Sequence, residues 1–344
     1  MADIKKLAHE VYPYVVEMRR DFHRHPEASF EEFRTTKRIA EELDKMGIPY
    51  RLFEPTGLVG EIKGGKPGKC IALRADIDAL TTTEKTGLPY ASENEDYMHA
   101  CGHDTHTAML LGAAKILSSV KDELCGTVKL IFQPAEELAS GAKCIVEQGV
   151  LDGVDAAFGQ HIFSRRPAGS LSLSEGTLHP AADYFKLTVT GKASHGALPD
   201  EGIDATVAAS AIVLALQTIS SREFSPLDPI VVTVGTLHSG ARFNIISGEA
   251  VLEGTVRIFN KDIHPHMPEI MERIAKQTAA AYRCTAELDY QFKTEILVNE
   301  PHMTAIARAA AEKLVPPEKI FPFQRNMGGE DFAYYLNEIP GAFL

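Results

Sequence analysis

The sequence predicts an α/β protein, and three features of its pattern lead to that class. First, short apolar segments are each followed directly by polar residues, at 70–74, 128–132 and 154–159. Second, helical patterns separate these segments, and short buried strands that alternate with helices are typical of a mostly parallel sheet. Third, from residue 181 apolar and polar residues alternate, which indicates strands with one face in water. We therefore expect a mostly parallel sheet combined with a second unit of a different type.

The N-terminal part of the sequence predicts two amphipathic helices. Residues 4–21 carry an apolar stripe at helical spacing, and the His-Arg-His-Pro segment at 23–26 is expected to end this helix. Ser29 is followed three residues later by Glu32, a capping-box pattern that predicts the start of the second helix. That helix is expected to end at Gly47.

The second unit is predicted to span residues 181–295 and to be inserted into the first, which consists of residues 1–180 and 296–344. Its order of strand, helix, strand, strand, helix, strand (βαββαβ) matches the split βαβ, or ferredoxin-like, sandwich. Helical patterns resume at 301–314 and 331–336, so we expect the first unit to be discontinuous. The predicted elements of the inserted unit are a strand near 185–189, a helix at 203–220, strands at 230–236 and 250–259, a helix at 264–282 and a strand at 285–292.

The composition excludes several classes of protein. A chain of 344 residues with 44% hydrophobic and 24% charged residues is typical of a soluble globular protein of two or so domains. The formal net charge of −12, without a Lys/Arg cluster, argues against binding to nucleic acid. Residues 1–12 are polar, and no uninterrupted apolar run predicts a signal peptide or a membrane span. Five cysteines at irregular spacing do not suggest a disulfide framework, so we expect a reduced, cytoplasmic protein.

The most informative stretch is His-Ala-Cys-Gly-His-Asp-Thr-His at residues 99–106, which holds several potential metal ligands. Cys101 and His103 are two residues apart and can face one ion from an extended backbone. Thiolate and imidazole both suit zinc-like metals. The alternative is a small buried cysteine among polar loop histidines, and this stretch alone leaves both interpretations open.

Other potential ligands follow the ends of the predicted strands, where parallel sheets bind their ligands: Asp76, Glu136, Glu137 and His161. The adjacent pair Glu136 and Glu137 can divide the work, one binding metal while the other remains free as general base. The alternative is two solvated glutamates at a helix start, where they favour the helix dipole. A bridged pair of divalent ions would lower the pKa of a shared water and polarise a carbonyl, and a free glutamate could carry the proton to a leaving nitrogen. This is the outline of amide hydrolysis.

Seven short segments of the sequence form a recognisable set. They are His-Pro-Glu at 25–27, Arg-Ala-Asp-Ile-Asp-Ala-Leu at 74–80, His-Ala-Cys-Gly-His-Asp at 99–104, Phe-Gln-Pro-Ala-Glu-Glu at 132–137, Gly-Gln-His at 159–161, Gly-Lys-Ala-Ser-His-Gly at 191–196 and Gly-Gly-Glu-Asp-Phe at 328–332. In this order they resemble the di-metal aminoacylase/carboxypeptidase family, in particular its amidohydrolase branch of hippurate hydrolases, auxin-conjugate hydrolases and N-acetyldiaminopimelate deacetylases. The match runs from about residue 10 to the last residue. Each motif alone is weak, but the set is highly specific.

The resemblance implies a catalytic role for the first unit, with two divalent metal ions (Zn, Mn, Co or Ni) per subunit. Cys101 would bridge the ions and Glu136 would be the general base. Asp76 would hydrogen-bond to a ligand without itself touching the metal. His106, one helical turn after His103, is expected to be structural or to bond to a metal ligand rather than to bind the metal itself. The implied metal ligands are Cys101, His103, Glu137 and His161.

The resemblance also implies that the inserted unit is a lid and a dimerisation domain. His195 would reach a substrate carbonyl or tetrahedral oxyanion, often in the partner subunit's site, and Asn244 would contact the substrate. Arg257 is a candidate clamp for a substrate carboxylate, since a guanidinium fork suits that group; the alternative is an exposed strand arginine. A homodimer is expected on the same grounds.

The implied activity is metal-dependent hydrolysis of the amide bond of N-acyl amino acids, with a metal-bound water as nucleophile. One departure keeps alternatives open: related chains carry a final ligand histidine beyond the Gly-Glu-Asp-Phe segment, whereas no histidine follows His302. Either the sequence is part of a longer chain, or the second metal has fewer protein ligands; a strand ending in mid-course leaves backbone groups unpaired, which favours the first. The functional alternatives are a metal-binding homologue without activity, with a ligand-binding or regulatory role, and a metallo-carboxypeptidase or dipeptidase.

Overall fold

The computed structural model describes residues 3–344, which form two compact units. Unit 1 contains the described residues up to Leu178 together with Leu297–Arg325 and Glu330–Leu344. Unit 2 contains His179–Ile296 and the short segment Asn326–Gly329. By the boundaries predicted from the sequence, that short segment would belong to the first unit.

The helices are numbered in chain order, with α5 and α6 in unit 2 and the others in unit 1. They are α1 (Ile4–Arg24), α2 (Phe33–Met46), α3 (His103–Ser119), α4 (Gly141–Glu147), α5 (Ala205–Leu216), α6 (Met267–Ala281), α7 (Pro301–Ala311) and α8 (Ala333–Glu338).

The strands are also numbered in chain order. They are β1 (Tyr50–Leu52), β2 (Leu58–Lys63), β3 (Lys66–Asp76), β4 (Leu80–Thr81), β5 (Tyr97–Met98), β6 (Cys125–Gln133), β7 (Ala156–Gly159), β8 (Leu171–Ser172), β9 (Gly176–His179), β10 (Ala181–Thr190), β11 (Ser194–His195), β12 (Ile230–Ser239), β13 (Ile245–Ile246), β14 (Glu249–Ile258), β15 (Thr285–Thr294), β16 (Leu297–Asn299), β17 (Ile320–Phe321) and β18 (Gly341–Phe343).

The main sheet of unit 1 has the order β1-β2-β6-β3-β7-β18. Strands β6, β3, β7 and β18 are parallel, and β1 and β2 form an antiparallel edge. Both faces are buried: Leu130 and Phe132 of β6 pack in one apolar cluster with α1, α2 and α3, whereas Ile131 packs in another with α4 and α8. A mixed α/β fold with a mostly parallel sheet is therefore confirmed.

Two local predictions for the N-terminal helices are wrong. Helix α1 continues through His23 to Arg24 and ends only at the His25 cap. The capping box does not form, because Glu32 occupies the N-cap of α2 without a side-chain hydrogen bond to the helix. The Ser29 hydroxyl donates instead to Oδ2 of Asp78, 2.7 Å away. The end of α2 is as predicted, since Gly47 has φ +66 and closes the helix in the left-handed conformation.

Unit 2 has one antiparallel sheet of four strands in the order β12-β14-β10-β15. Along β10, Phe185, Leu187 and Val189 are buried, while the residues between them are more exposed. These side chains pack with α5 and α6 in the core of the unit. Alternate residues of a strand point to opposite faces, so the helices cover one face of this sheet.

One stretch of unit 2, Ala205–Glu223, is long and apolar enough to span a membrane by length and composition. The sequence pattern predicts no membrane span. The core helix of a globular unit passes the same test, and Ala208, Ile212 and Leu216 of α5 are fully buried in the core of unit 2. Length and hydropathy are thus weak evidence for a membrane span here.

Candidate metal centre

Polar residues that follow three strands of unit 1 meet at one edge of its sheet. Strand β3 ends at Asp76, β6 at Gln133 and β7 at Gly159, and the three are parallel neighbours. Parallel strands present their carboxyl ends at the same edge. The loop before α3 reaches this edge through Gly102, whose φ of +98° and close approach to the Ile162 side chain leave no room for a Cβ.

Cys101 and His161 face each other at this edge, with 3.2 Å between Sγ and Nε2. Nδ1 of His161 donates to the carbonyl oxygen of Ile162 at 2.5 Å, and in that tautomer Nε2 carries a lone pair. Burial raises the pKa of the Cys101 thiol to about 11. A coordinated divalent cation reverses this effect, because it deprotonates a thiol ligand.

His103 opens α3 and is fully buried. Its Nδ1 donates to Asp78, 3.0 Å from the carbonyl oxygen and 3.1 Å from Oδ1. Nε2 has no hydrogen-bond partner and lies 3.9 Å from a carboxylate oxygen of Glu136 and of Glu137. Oε1 of Glu137 is also buried without a hydrogen bond. Since buried polar atoms normally have partners, these two atoms fit the ligands of a cation.

The charges around His103 fit a cation as well. Arg74 is fully buried, but its guanidinium is already shared among Asp76 at 2.7 Å, Asp331 at 2.9 Å and Glu330 at 3.1 Å. Burial, followed by the charges of Glu330 and Asp331, raises the pKa of Glu136 well above its usual range. Buried negative charge in excess of the available cations is costly, so this edge of the sheet favours bound positive charge.

The described residues supply more than one set of potential metal ligands at this edge. One ligand atom from each of Cys101, His103 and His161 lies within 4.8 Å of the others, and the same holds for His103, Glu136 and Glu137. Thiolate, imidazole and carboxylate are the ligand types of zinc and of similar divalent ions. The four predicted ligands are thus brought together, and the donor set fits divalent metal ions.

Asp76 and His106 lie beside this ligand set and are bonded to each other. Oδ1 of Asp76 lies 2.6 Å from Nδ1 of His106, and Nε2 of His106 accepts the backbone N–H of Ile162 at 2.9 Å. Both ring nitrogens of His106 are therefore used, which fits a structural role. Asp76 orients His106, whereas the carboxylate that orients His103 belongs to Asp78.

The remaining predicted site residues lie in unit 2. His195 on β11 and Asn244 next to β13 are brought together, because Gly196 donates its backbone N–H to the Asn244 carbonyl oxygen at 2.8 Å. Oδ1 of Asn244 is buried without a partner. Arg257 is half-buried on β14, and its Nε donates to the carbonyl oxygen of Met327 at 3.0 Å.

Asp78 is a residue for which the sequence pattern predicts no role, although it is almost fully buried and holds two parts of the site. In addition to His103, it accepts the backbone N–H of Glu137 at Oδ2, 3.0 Å away. The signal available in the sequence was its spacing from Asp76. Two carboxylates two residues apart at a strand end can point the same way, and either one could orient a ligand.

Comparison with known proteins shows which family the chain belongs to. Residues 72–344 match the peptidase family M20/M25/M40. The chain belongs to this family. Its relatives include an N-acetyl-L-cysteine deacetylase of Bacillus subtilis, 42% identical over 330 residues that cover 96% of this chain and 79% of the relative. An IAA-amino acid hydrolase of Arabidopsis thaliana is 38% identical over 339 residues, covering 97% of this chain and 77% of the relative.

The solved structures agree with this M20/M25/M40 assignment. The YxeP protein of Bacillus subtilis, a dinuclear metal-binding peptidase of the M20 family, superposes with a TM-score of 0.85 at 39% identity. That match covers 97% of this chain and 88% of the YxeP chain. The resemblance inferred from the seven sequence segments is therefore confirmed.

Proposed function

We propose that this M20/M25/M40 family member hydrolyses the amide bond of N-acyl amino acids, with Glu136 as general base. The observation that carries the proposal is the ligand set at the sheet edge, with unpartnered Nε2 of His103 and Oε1 of Glu137, beside the buried carboxylate of Glu136. The relatives named as an N-acetyl-L-cysteine deacetylase and an IAA-amino acid hydrolase support a metal-dependent amidohydrolase and this substrate class. They do not favour a homologue without activity.

The metal ligands in this proposal are Cys101, His103, Glu137 and His161, with Asp78 and Asp76 orienting the imidazoles around them. Two divalent ions held there would act as Lewis acids, polarising the substrate carbonyl and lowering the pKa of water. Which of zinc, manganese, cobalt and nickel binds there depends on the availability of each metal.

Glu136 moves the proton. Its carboxylate takes a proton from the water that attacks the carbonyl carbon and gives it to the leaving nitrogen as the C–N bond breaks. The products are a carboxylic acid and a free amino acid.

The proposal assigns three residues of unit 2 to the substrate. We assign His195 to the substrate carbonyl or oxyanion, Asn244 to substrate binding and Arg257 to a substrate carboxylate, on the resemblance of the sequence motifs. The partnerless Oδ1 of Asn244 supports a ligand-binding role, because a buried amide oxygen normally accepts a hydrogen bond. The other bonds of Arg257, to Met327 and Thr255, fix its position on β14.

We also propose that unit 2 is a ferredoxin-like lid and that it pairs two subunits. Edge strand β12 and the exposed apolar side chains of Phe243 (95% exposed) and Leu214 (74% exposed) support a homodimer. Sedimentation that shows only monomer at micromolar concentration contradicts it. A cytoplasmic location stays a prediction from the cysteine pattern.

The test is Glu136→Gln, which removes the base and keeps the shape of the side chain. With a panel of N-acetyl and N-benzoyl amino acids, we expect turnover to fall about 100- to 10,000-fold, the range of a lost general base, with the metal content per chain unchanged. Glu147→Gln, a change at an exposed position of α4, serves as the control. Unchanged turnover in Glu136→Gln contradicts the proposal. Dipeptides with a free α-amino group belong in the panel, because preference for them would identify a peptidase.

A further inference from the structure

Glu32 is a fully buried carboxyl group that joins three segments of unit 1. It stands at the N-cap of α2, but it makes no side-chain bond to that helix. Its Oε2 accepts the Thr56 hydroxyl at 2.5 Å, and its Oε1 accepts the backbone N–H of Ala135 at 2.8 Å. Within residues 3–344 it forms no salt bridge, and the donors that bond to it are neutral.

The Ala135 end of this arrangement is a strained turn. Ala135 is fully buried and has φ +51, in the left-handed region that side chains other than glycine rarely adopt. Such a conformation persists only where its surroundings fix it. The surroundings here fix both peptide groups of the residue, because its N–H goes to Glu32 and its carbonyl oxygen accepts the N–H of Gly141 at 3.1 Å.

Two glycines pack closely against Pro134, the residue before Ala135. A Cβ at Gly141 would lie 1.6 Å from the carbonyl oxygen of Pro134, and a Cβ at Gly57 would lie 2.6 Å from the Pro134 ring. Gly57 directly follows Thr56, the other partner of Glu32, and its N–H donates to the Thr36 hydroxyl of α2 at 2.9 Å. The carboxyl group of Glu32 is thus the link between the start of α2, the Thr56 turn and the Ala135 turn.

The residue directly after Ala135 is Glu136, and the next is Glu137. Glu137 has its own backbone anchor, since its N–H donates to Asp78 at 3.0 Å. The direction in which the Glu136 side chain leaves the backbone is set by the turn at Ala135. We infer that Glu32 is a positioning residue, whose carboxyl group holds the left-handed backbone of Ala135 and thereby aims the carboxylate of Glu136.

This inference rests on the proposed role of Glu136 as general base. It differs from a general contribution of Glu32 to stability in two respects. First, what Glu32 must supply is a hydrogen-bond acceptor for Ala135, not a charge. Second, its effect on turnover must pass through Glu136.

The experiment uses Glu32→Ala, Glu32→Gln, Glu136→Gln and the double change Glu32→Ala/Glu136→Gln in the metal-loaded protein. We expect Glu32→Ala to lower kcat about 10- to 100-fold, the effect of a misplacement on the ångström scale, with KM and metal content kept. Glu32→Gln should stay within about threefold of the wild-type kcat, because its amide oxygen accepts from Ala135 while the Thr56 hydroxyl turns to accept from the amide nitrogen. The double variant should have the kcat of Glu136→Gln alone.

The matched control is Glu42→Ala. Glu42 is a nearly buried carboxylate of the same helix, bonded to Tyr14 and Lys45, so its loss lowers stability and leaves kcat unchanged. If Glu32→Ala does not accumulate, Glu32→Asp replaces it, since the shorter side chain withdraws the acceptor from Ala135.

Three results overturn the inference: wild-type kcat in Glu32→Ala, a kcat of Glu32→Gln as low as that of Glu32→Ala, or additive losses in the double variant. Wild-type turnover in Glu136→Gln is a different result, and it overturns the proposed function itself.

Discussion

Each unit buries a cluster of histidine and carboxylate groups, and the two clusters differ in how their polar atoms are used. In unit 2, Oδ2 of Asp183 accepts from Nε2 of His264 at 2.8 Å and from the Tyr290 hydroxyl at 2.6 Å, while Oδ1 accepts the Lys293 N–H at 3.3 Å. In unit 1, Nε2 of His103 and Oε1 of Glu137 are buried and bond to nothing among the described residues.

Residue type and burial are similar in the two clusters, so neither distinguishes a metal site from a structural network. The two clusters differ in whether their buried acceptor atoms have hydrogen-bond donors. The cluster around Asp183 is saturated by donors of its own unit and stabilises the sheet. The cluster around His103 leaves two buried atoms, Nε2 of His103 and Oε1 of Glu137, without hydrogen-bond partners 3.9 Å apart, an arrangement that a cation stabilises.

The test with the largest expected effect removes one histidine from each cluster. We expect His103→Ala to lower the metal content and to reduce turnover of N-acyl amino acids on the order of a thousandfold or more, since metal ions contribute several kcal/mol to the transition state. His264→Ala is the matched change in the saturated cluster. It should cost roughly 1–3 kcal/mol of unfolding free energy and leave the metal content unchanged. Loss of metal in both variants would mean that the two clusters are not distinct in function.

A second test concerns Glu32, a carboxyl group with both oxygens bonded but no cation beside it. Burial raises its pKa from 4.5 to about 7. The folded chain therefore binds this proton more tightly than the unfolded chain, so the stabilisation is complete below pH 4.5 and is lost as the pH rises through about 7. The loss amounts to about 3 kcal/mol.

Glu32→Gln removes this titration. Denaturant unfolding at several pH values should show that the variant gains stability relative to the wild type as the pH rises from about 5 to about 8. Stability curves that run parallel over this range contradict the assignment of a neutral buried carboxyl group.

The smallest expected effect comes from exchanging one carboxylate oxygen for an amide nitrogen in each cluster. Asp183→Asn places a donor against a donor and should lower the free energy of unfolding by about 2 kcal/mol, with unchanged metal affinity. Asp78→Asn disturbs the orientation of His103 and should weaken metal binding about 10- to 100-fold in competition with a chelator. Equal effects of the two changes on metal affinity would argue against the distinction between the clusters.

The sequence predicted well the features that depend on the ends of strands. Asp76, Glu136, Glu137 and His161 could be placed at one edge because parallel strands present their carboxyl ends there. The choice of Cys101, His103, Glu137 and His161 as metal ligands rests on the resemblance of the sequence motifs. The alternation in β10 likewise predicted which side chains face the core of unit 2.

The features that the sequence could not predict depend on partners distant in the chain. The capping-box pattern of Ser29 and Glu32 is a local signal, but Ser29 bonds to Asp78 and Glu32 to Ala135, more than 45 and 100 residues away. The choice between Asp76 and Asp78 as the residue that orients His103 depends on which imidazole each carboxylate meets. Spacing alone does not contain that information.

The order of strands in unit 1 has a consequence for synthesis on the ribosome. His161 follows β7, whose parallel neighbour β18 comes from residues 341–343, and the His161 N–H donates to the carbonyl oxygen of Leu344 at 3.0 Å. At roughly 5–20 residues per second, about ten to forty seconds separate the synthesis of these two strands. During that interval the sheet of unit 2, whose four strands lie between residues 181 and 294, can already form. In the nascent chain, β7 can therefore pair with β18 only after unit 2 has been synthesised. The rate of translation sets how long the edge of β7 stays unpaired.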